Sequence, residues 1–444
     1  MKLLKGTTLD MSKSKSVSTK QQRIAELAKN APDMAMDLSH HLDQEWFVEA
    51  FRRTRKDGVV GVDGISGSEY GSSFDERIGD LIDRAKSGRY RAPPVKRVLI
   101  PKGDGNERRP IGVPSFEDKL LQRAIEMLLT PVFEQDFYDF SYGFRPGRSA
   151  HQALEVLWKG LMEIGGGYLI DLDIRSYFDS VDPKHAQEIL RKRVRDGVVR
   201  RLIGKWLNAG VLEDGRLTYS EVGVPQGGVI SPLISNIYLH EVLDTWFAET
   251  VMPRMRGRAF IIRYADDAVL AFEYLDDAER VYKVLPQRFA RFGLTLHPDK
   301  TRLLDFRRGS RLRGSFDFLG FSHFWAKSRK GFQVIKRKTA KKRVARAMKA
   351  MNQWLRRVRH WPISEQHRIL CMKLRGHFYY YGITGNSTAL SGFLYRTMHM
   401  WFKWLRRRSY KARRNWEWYR ALLVRFPLPK PTPVHSVLRH AANS

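Results

Sequence analysis

Tyr264-Ala265-Asp266-Asp267 interrupts two apolar runs, Phe260-Ile261-Ile262 before it and Ala268-Val269-Leu270 after it. Apolar runs around a short polar break predict a hairpin over Phe260–Phe272 with the aspartate pair at its tip. A second acidic cluster, Asp171-Leu172-Asp173, closes the strand pattern Tyr168–Ile174, where alternation puts Leu169, Asp171 and Asp173 on one face. An Asp-Asp turn is ordinary by itself, because aspartate tolerates turn geometry. Strand-borne carboxylates that converge from two places repel one another unless a cation sits among them. Asp173 and Asp266, with Asp267 beside them, suit two Mg²⁺ ions, which take a few carboxylates and keep bound water. Two such ions roughly 3.5–4 Å apart are what phosphoryl transfer to a hydroxyl uses.

The formal net charge is +32 over 444 residues, far more than solubility requires. An excess of that size points to a polyanion, and nucleic acid fits it better than a membrane surface. The one cysteine, Cys371, forms no internal disulfide and belongs to no metal-ligating cluster, so a zinc site is not expected. It reads as a small core residue on a helix. No apolar run reaches the ~18 residues of a membrane span. The N-terminus lacks a signal-peptide apolar core, and a reducing cytoplasm is the expected compartment.

Along the chain, residues 1–20 read as a disordered basic segment, and 21–90 as a helical extension. Residues 91–330 alternate strands and helices. Val95–Ile100 and Arg109–Val113 flank the turn Lys102-Gly103-Asp104-Gly105, which predicts a hairpin. Helices are expected over Phe116–Phe133, 183–209 and Asp276–Phe292, and a strand or hairpin over Phe316–Phe324. From Lys336 to Arg414 the composition shifts to 22 Lys/Arg against one acid, Glu365, with aromatics interleaved. That stretch reads as a basic helical bundle over 331–426, and 427–444 as a Pro-rich extended tail.

Seven ordered blocks carry a resemblance that covers roughly residues 40–425. They begin with Arg97-Val98-Leu99-Ile100-Pro101-Lys102, Arg109-Pro110-Ile111-Gly112-Val113-Pro114 and Ser141-Tyr142-Gly143-Phe144-Arg145-Pro146-Gly147-Arg148-Ser149. Gly223-Val224-Pro225-Gln226-Gly227-Gly228 follows, running into Ser231-Pro232-Leu233. Tyr264-Ala265-Asp266-Asp267, Gly293-Leu294-Thr295-Leu296-His297-Pro298-Asp299-Lys300-Thr301 and Phe318-Leu319-Gly320-Phe321 complete the series. Each string is weak alone; in this order they resemble the reverse transcriptase-maturases encoded by bacterial group II introns.

The resemblance implies an α+β right-hand polymerase: fingers, a palm with an antiparallel sheet, and an α-helical thumb or maturase domain. It implies RNA-templated DNA synthesis from dNTPs on a DNA primer, two Mg²⁺ ions, and binding of group II intron RNA to assist splicing and retrohoming. By the same resemblance Asp173 and Asp266 ligate the metals with Asp267 in support, and Ile174 contributes its carbonyl. Phe178 stands under the sugar and excludes a 2′-hydroxyl, and Gln226 lines the nucleotide loop. Lys102 and Arg109 grip the triphosphate, and Lys300 protonates the leaving pyrophosphate. Asp171 takes a hydrogen-bonding role. In the basic bundle, the expected RNA contacts are Lys336, Arg337, Lys338, Lys341, Lys342, Arg343, Arg356, Arg357, Arg375, Arg406, Arg407 and Arg408, with His377 packing rather than ligating.

No Cys/His cluster follows the bundle, so a zinc-dependent endonuclease that cuts the second DNA strand is not expected. Competing readings are a related polymerase recruited to phage defence or a CRISPR system, an RNA-binding splicing factor with little polymerase activity, and an RNA-dependent RNA polymerase. The intact aspartates argue against the second and Phe178 against the third. Oligomeric state has no signature here.

Overall fold

The structure, a computed structural model, describes residues 8–102, 107–213, 216–218, 227–310, 314–328, 330–409 and 414–435. The chain divides into two compact units: Met1–Ala153 with Leu169–Leu303, and Leu154–Tyr168 with Leu304–Ser444.

The first unit opens on the helix Thr8–Asn30, which crosses the segment expected to be disordered. Its sequence holds no proline or glycine, and Val17, Ile24 and Ala28 are buried at helical spacing, so a packed face overrides the polar composition. The helix Gln44–Arg53 is capped by Asp43, whose side chain accepts from Trp46 N at 2.8 Å. Trp46 is fully buried, and its indole donates to Ala124 O at 2.9 Å. That bond ties the N-terminal helices to Phe116–Phe133, which runs through the core with Leu120, Leu121, Ala124, Ile125 and Leu128 all inaccessible.

Eleven strands form three sheets among the described residues. β1 (Val95–Lys102) and β2 (Glu107–Val113) make an antiparallel hairpin that pairs Ile100 with Arg109. β3 covers Tyr168–Leu172, β4 Val211–Glu213 and β5 Arg216–Thr218; β4 joins the hairpin parallel to β1. β6 (Ala259–Tyr264) and β7 (Asp267–Phe272) are antiparallel. With β8 (Arg302–Asp305) they form a sheet of order β6-β7-β3-β8. β7 buries Ala268 through Phe272 without a break, as a strand covered on both faces does. The helix Ser231–Leu239 has Pro232 in its first turn and continues as a π-helix over His240–Val251.

The second unit carries β9 (Ser315–Phe318), β10 (Phe321–Lys327) and β11 (Gln333–Thr339), antiparallel in the order β11-β10-β9. Four helices follow: Lys341–Arg357, Ile363–Tyr381, Ser387–Arg406 and Trp416–Arg425. Leu355, Leu370, Leu374, Phe378, Trp401 and Tyr419 form their core. Composition puts the break between parts at 331. Compactness places it near 304 instead, because Trp158 donates to Ile335 O at 2.8 Å and Tyr380 to Leu319 O at 2.9 Å, drawing the strands to the helices. Residues 427–434 are neither helix nor strand, and the end of the tail lies outside the described residues.

Candidate active site

Tyr264 pairs with Asp267 across β6 and β7, so the turn is only Ala265-Asp266, and Asp267 is the first residue of β7. The aspartates are therefore not equivalent: Asp266 is half-buried in the turn and Asp267 is exposed. Tight hairpin turns need positive φ, and here Ala265 supplies it at 57° without being glycine. Gly143 packs against this turn so closely that a Cβ on it would lie 2.2 Å from Ala265 N. Its carbonyl accepts from Asn236 Nδ2 at 2.6 Å.

Beneath the turn lies Arg263, with no exposed surface. Its guanidinium donates to Asp244 Oδ1 at 2.7 Å, to Asn236 Oδ1 at 2.9 Å and to Ala265 O at 3.0 Å. Its backbone exchanges bonds with Phe140 O and Tyr142 N, both at 2.9 Å. This network was not read from the sequence. Its signal was a single arginine inside an otherwise apolar strand, a position that demands a buried partner.

Asp173 follows β3, the hydrogen-bonded neighbour of β7. Its carbonyl accepts from His297 N at 2.8 Å and from the Thr301 hydroxyl at 3.1 Å, and Ile174 bridges Leu296. The Gly293–Thr301 block thus fixes the backbone of Asp173, and Lys300 Nζ stands 3.5 Å from its Oδ1. Burial raises the Asp266 carboxyl above the usual range; the Asp173 charge pushes the same way, while Arg109 and Arg263 oppose it. Asp173 and Asp266 are therefore in electrostatic reach of each other. Among the described residues no group of three or more carboxylate, imidazole or thiol side chains gathers as a metal cage. Asp267, one residue further on, is the exposed first residue of β7. The donor set fits a hydrated divalent ion, which needs few carboxylates and would relieve the repulsion at Asp266. Asp171 pairs with Arg302 at 3.1 Å.

Arg109 lies on β2, and its charge is felt at Asp266. Lys102 ends β1, and its side chain lies outside the described part of the chain, as does all of Gln226. Gly227, at φ +111°, rests on β2: a Cβ there would come 2.4 Å from Gly112 O. Phe178 is half-buried on the short helix Tyr177–Ser180 and stands edge-on to Tyr177, with ring centroids 5.2 Å apart. Tyr177 is buried and donates to Ser235 O at 2.9 Å, which fixes the base on which Phe178 stands.

A second network, also unread from sequence, underlies the Gly227-Gly228 turn. Asp118 is buried and accepts from Trp206 Nε1 at 2.6 Å, Tyr90 OH at 2.7 Å and Gln122 Nε2 at 3.0 Å. Gln122 in turn accepts from Ile230 N at 3.3 Å. Burial pushes the Asp118 carboxyl up to about 6, against the three donors that favour its charge.

In the second unit, Lys338, Lys341, Lys342, Arg343, Arg356, Arg357, Arg375, Arg406 and Arg407 are exposed, and Lys336 and Arg408 partly so. Arg337 is the exception: expected among the RNA contacts, it is buried. β11 buries Ile335, Arg337 and Thr339 on one face, and the Arg337 guanidinium donates to Leu154 O at 3.1 Å. Burial lowers its pKa to about 10. His377 stacks on Phe393 with centroids 3.8 Å apart, and burial pulls its imidazole down to about 4.

Carboxylates brought together by the β6–β7 turn and the end of β3, with the charge of Arg109 felt at Asp266, form a candidate site for nucleotidyl transfer. Residues 100–323, half the chain, match the reverse transcriptase (RNA-dependent DNA polymerase) family, and the chain belongs to it. That membership carries with it the right-hand polymerase fold and dependence on divalent metal. The chain is 34% identical to Protein YkfC of Escherichia coli over 287 residues, 57% of this chain and 75% of that protein. It is 39% identical to the group II intron-encoded protein LtrA of Lactococcus lactis over 169 residues, 38% of this chain and 28% of that one. The nuclear intron maturase 1 of Arabidopsis thaliana is 29% identical over 126 residues, 27% and 17% of the two chains. The chain thus spans less than a third of these intron relatives. None of the described helices is long and apolar enough to cross a membrane.

Proposed function

We propose that the protein is the reverse transcriptase of a group II intron: it extends a DNA primer on an RNA template with dNTPs, and binds intron RNA to assist splicing and retrohoming. The observation that carries the catalytic part is Asp266, half-buried in a two-residue turn, its pKa raised by burial and also by the charge of Asp173. Two carboxylates so placed are unfavourable neighbours without a cation between them. The similarity to LtrA and to the intron maturase supports the intron role.

Asp173 and Asp266 would hold two Mg²⁺ ions, with the Ile174 carbonyl and Asp267 in support. When bound, the ions supply Lewis acidity at the attacking and leaving oxygens. The protein's own groups do the positioning. Arg109 draws the triphosphate toward the carboxylates, and Lys102 and Gln226 complete the nucleotide's surroundings. Phe178, backed by Tyr177, meets the sugar where a 2′-hydroxyl would be. Lys300 gives its proton to the departing pyrophosphate. The second unit, with its basic helices and thumb-like helical core, lies along the nucleic acid backbone.

Extension of oligo(dT) on poly(rA), with dTTP in one arm and UTP in the other, tests this. Wild-type protein should extend with dTTP only and need Mg²⁺; Asp266→Ala should abolish extension and leave RNA affinity near wild type. Extension retained by Asp266→Ala would refute the metal role, and equal use of UTP would refute the assignment of Phe178.

A further inference from the structure

Phe144 has a backbone conformation that a bulky side chain avoids, with φ +57°. The residue is nonetheless 59% exposed, so its conformation does not serve to bury it in the core. Both neighbours enforce the conformation. Gly143 is wedged against Ala265 and held by Asn236. Arg145 is buried: its Nη1 donates to Tyr138 O at 2.7 Å and Ser141 O at 2.8 Å, and it pairs with Glu134 at 3.0 Å. A glycine would sit in this place without strain, yet the chain carries a phenylalanine and points it to solvent. Backbone strain held by over-determined surroundings is a mark of a functional position.

The place itself indicates what the ring meets. Gly143 touches Ala265, so Phe144 stands one residue from the turn that carries Asp266. On the polymerase reading above, on which this rests, the strand end that must lie over that turn is the primer's 3′ terminus. We propose that Phe144 is a primer-positioning residue whose ring packs on the 3′-terminal nucleotide of the primer. Packing on a sugar or base face carries no sequence preference, as copying an arbitrary template requires.

The test uses full-length protein with Phe144→Gly, Phe144→Ala and Phe144→Tyr in steady-state primer extension, with thermal melting alongside. Phe144→Gly relieves the strained φ, so its melting temperature should be at or near the wild-type value. Its KM for primer–template should nonetheless rise on the order of ten-fold, the scale of a missing aromatic stack, with the dNTP KM unchanged. Phe144→Ala should show the same rise, and Phe144→Tyr should restore wild-type behaviour. Wild-type KM in Phe144→Gly, or loss in Phe144→Tyr equal to that in Phe144→Gly, overturns the proposal. A wild-type protein that extends no primer sinks the polymerase reading and this proposal together; extension by wild type and Phe144→Gly alike overturns this one alone.

Discussion

Arg263 and Asp244 form a bidentate ion pair in which neither side chain is exposed to water. The same guanidinium reaches Ala265 O, so the buried pair and the turn that carries Asp266 are one piece of structure. Removing one partner leaves an uncompensated charge in the interior. Asp244→Ala should therefore destabilise the fold by about 3–5 kcal/mol, read by chemical denaturation. A double variant, Arg263→Met with Asp244→Leu, should recover most of that stability and stay inactive in primer extension, because the bond to Ala265 O is gone. Full activity in the double variant would mean the arginine serves the fold alone.

Gly143 offers a sharper perturbation of the same turn. The atoms a new Cβ would meet are the Ala265 amide nitrogen at 2.2 Å and the Tyr264 carbonyl carbon at 2.9 Å, both backbone, so neither can swing aside. Gly143→Ala should shift the turn and with it Asp266. Displacements of about 1 Å at a reacting centre can lower a rate by ~10²-fold. The expected result is a loss of that order in kcat with far-UV circular dichroism unchanged.

The hairpin of the site was legible in sequence because a strand's apolar run and its polar interruption are local signals. Asp173 was legible for the same reason, through the alternation of Tyr168–Ile174. Arg263 and Asp118 were not, since each is explained by partners far along the chain: Asp244 and Asn236 for the first, Tyr90 and Trp206 for the second. Arg337 was misread by counting charges without applying strand alternation to β11. The early unit boundary has a similar origin, because the bond from Trp158 to Ile335 is invisible to composition. The part of the Thr8–Asn30 helix before residue 21 was missed because its buried face is sparse and its polar residues dominate.

Asp118 gives the fold a pH dependence whose sign follows from its direction of shift. Its folded pKa, about 6, exceeds the ordinary 3.8, so the folded state favours the protonated carboxyl. The stability this contributes is present below pH ~4 and is lost as pH rises through ~6. Asp118→Asn removes the titration. The stability of wild type relative to Asp118→Asn should fall by on the order of 3 kcal/mol between pH 4 and pH 7. Denaturation curves at the two pH values measure this, and a constant difference would show that Asp118 ionises normally in the folded protein.

Lys341, Lys342 and Arg343 occupy the first turn of the helix Lys341–Arg357, which carries no acidic residue there. Cations at a helix N-terminus oppose the helix dipole by roughly 0.3–1 kcal/mol each. These three exposed residues therefore weaken their own helix, and an external polyanion accounts for them better than folding does. Changing all three to glutamine should leave the melting temperature unchanged or slightly higher while RNA affinity falls. The slope of log affinity against log salt should become shallower by about 2, near 0.7 for each single-strand phosphate that is no longer neutralised. Arg337→Gln is the contrast: its guanidinium is buried on Leu154 O, so stability should drop and the salt slope should stay as it was. If Arg337→Gln flattened the slope and the triple change did not, the exposed helix start would not be the surface that meets RNA.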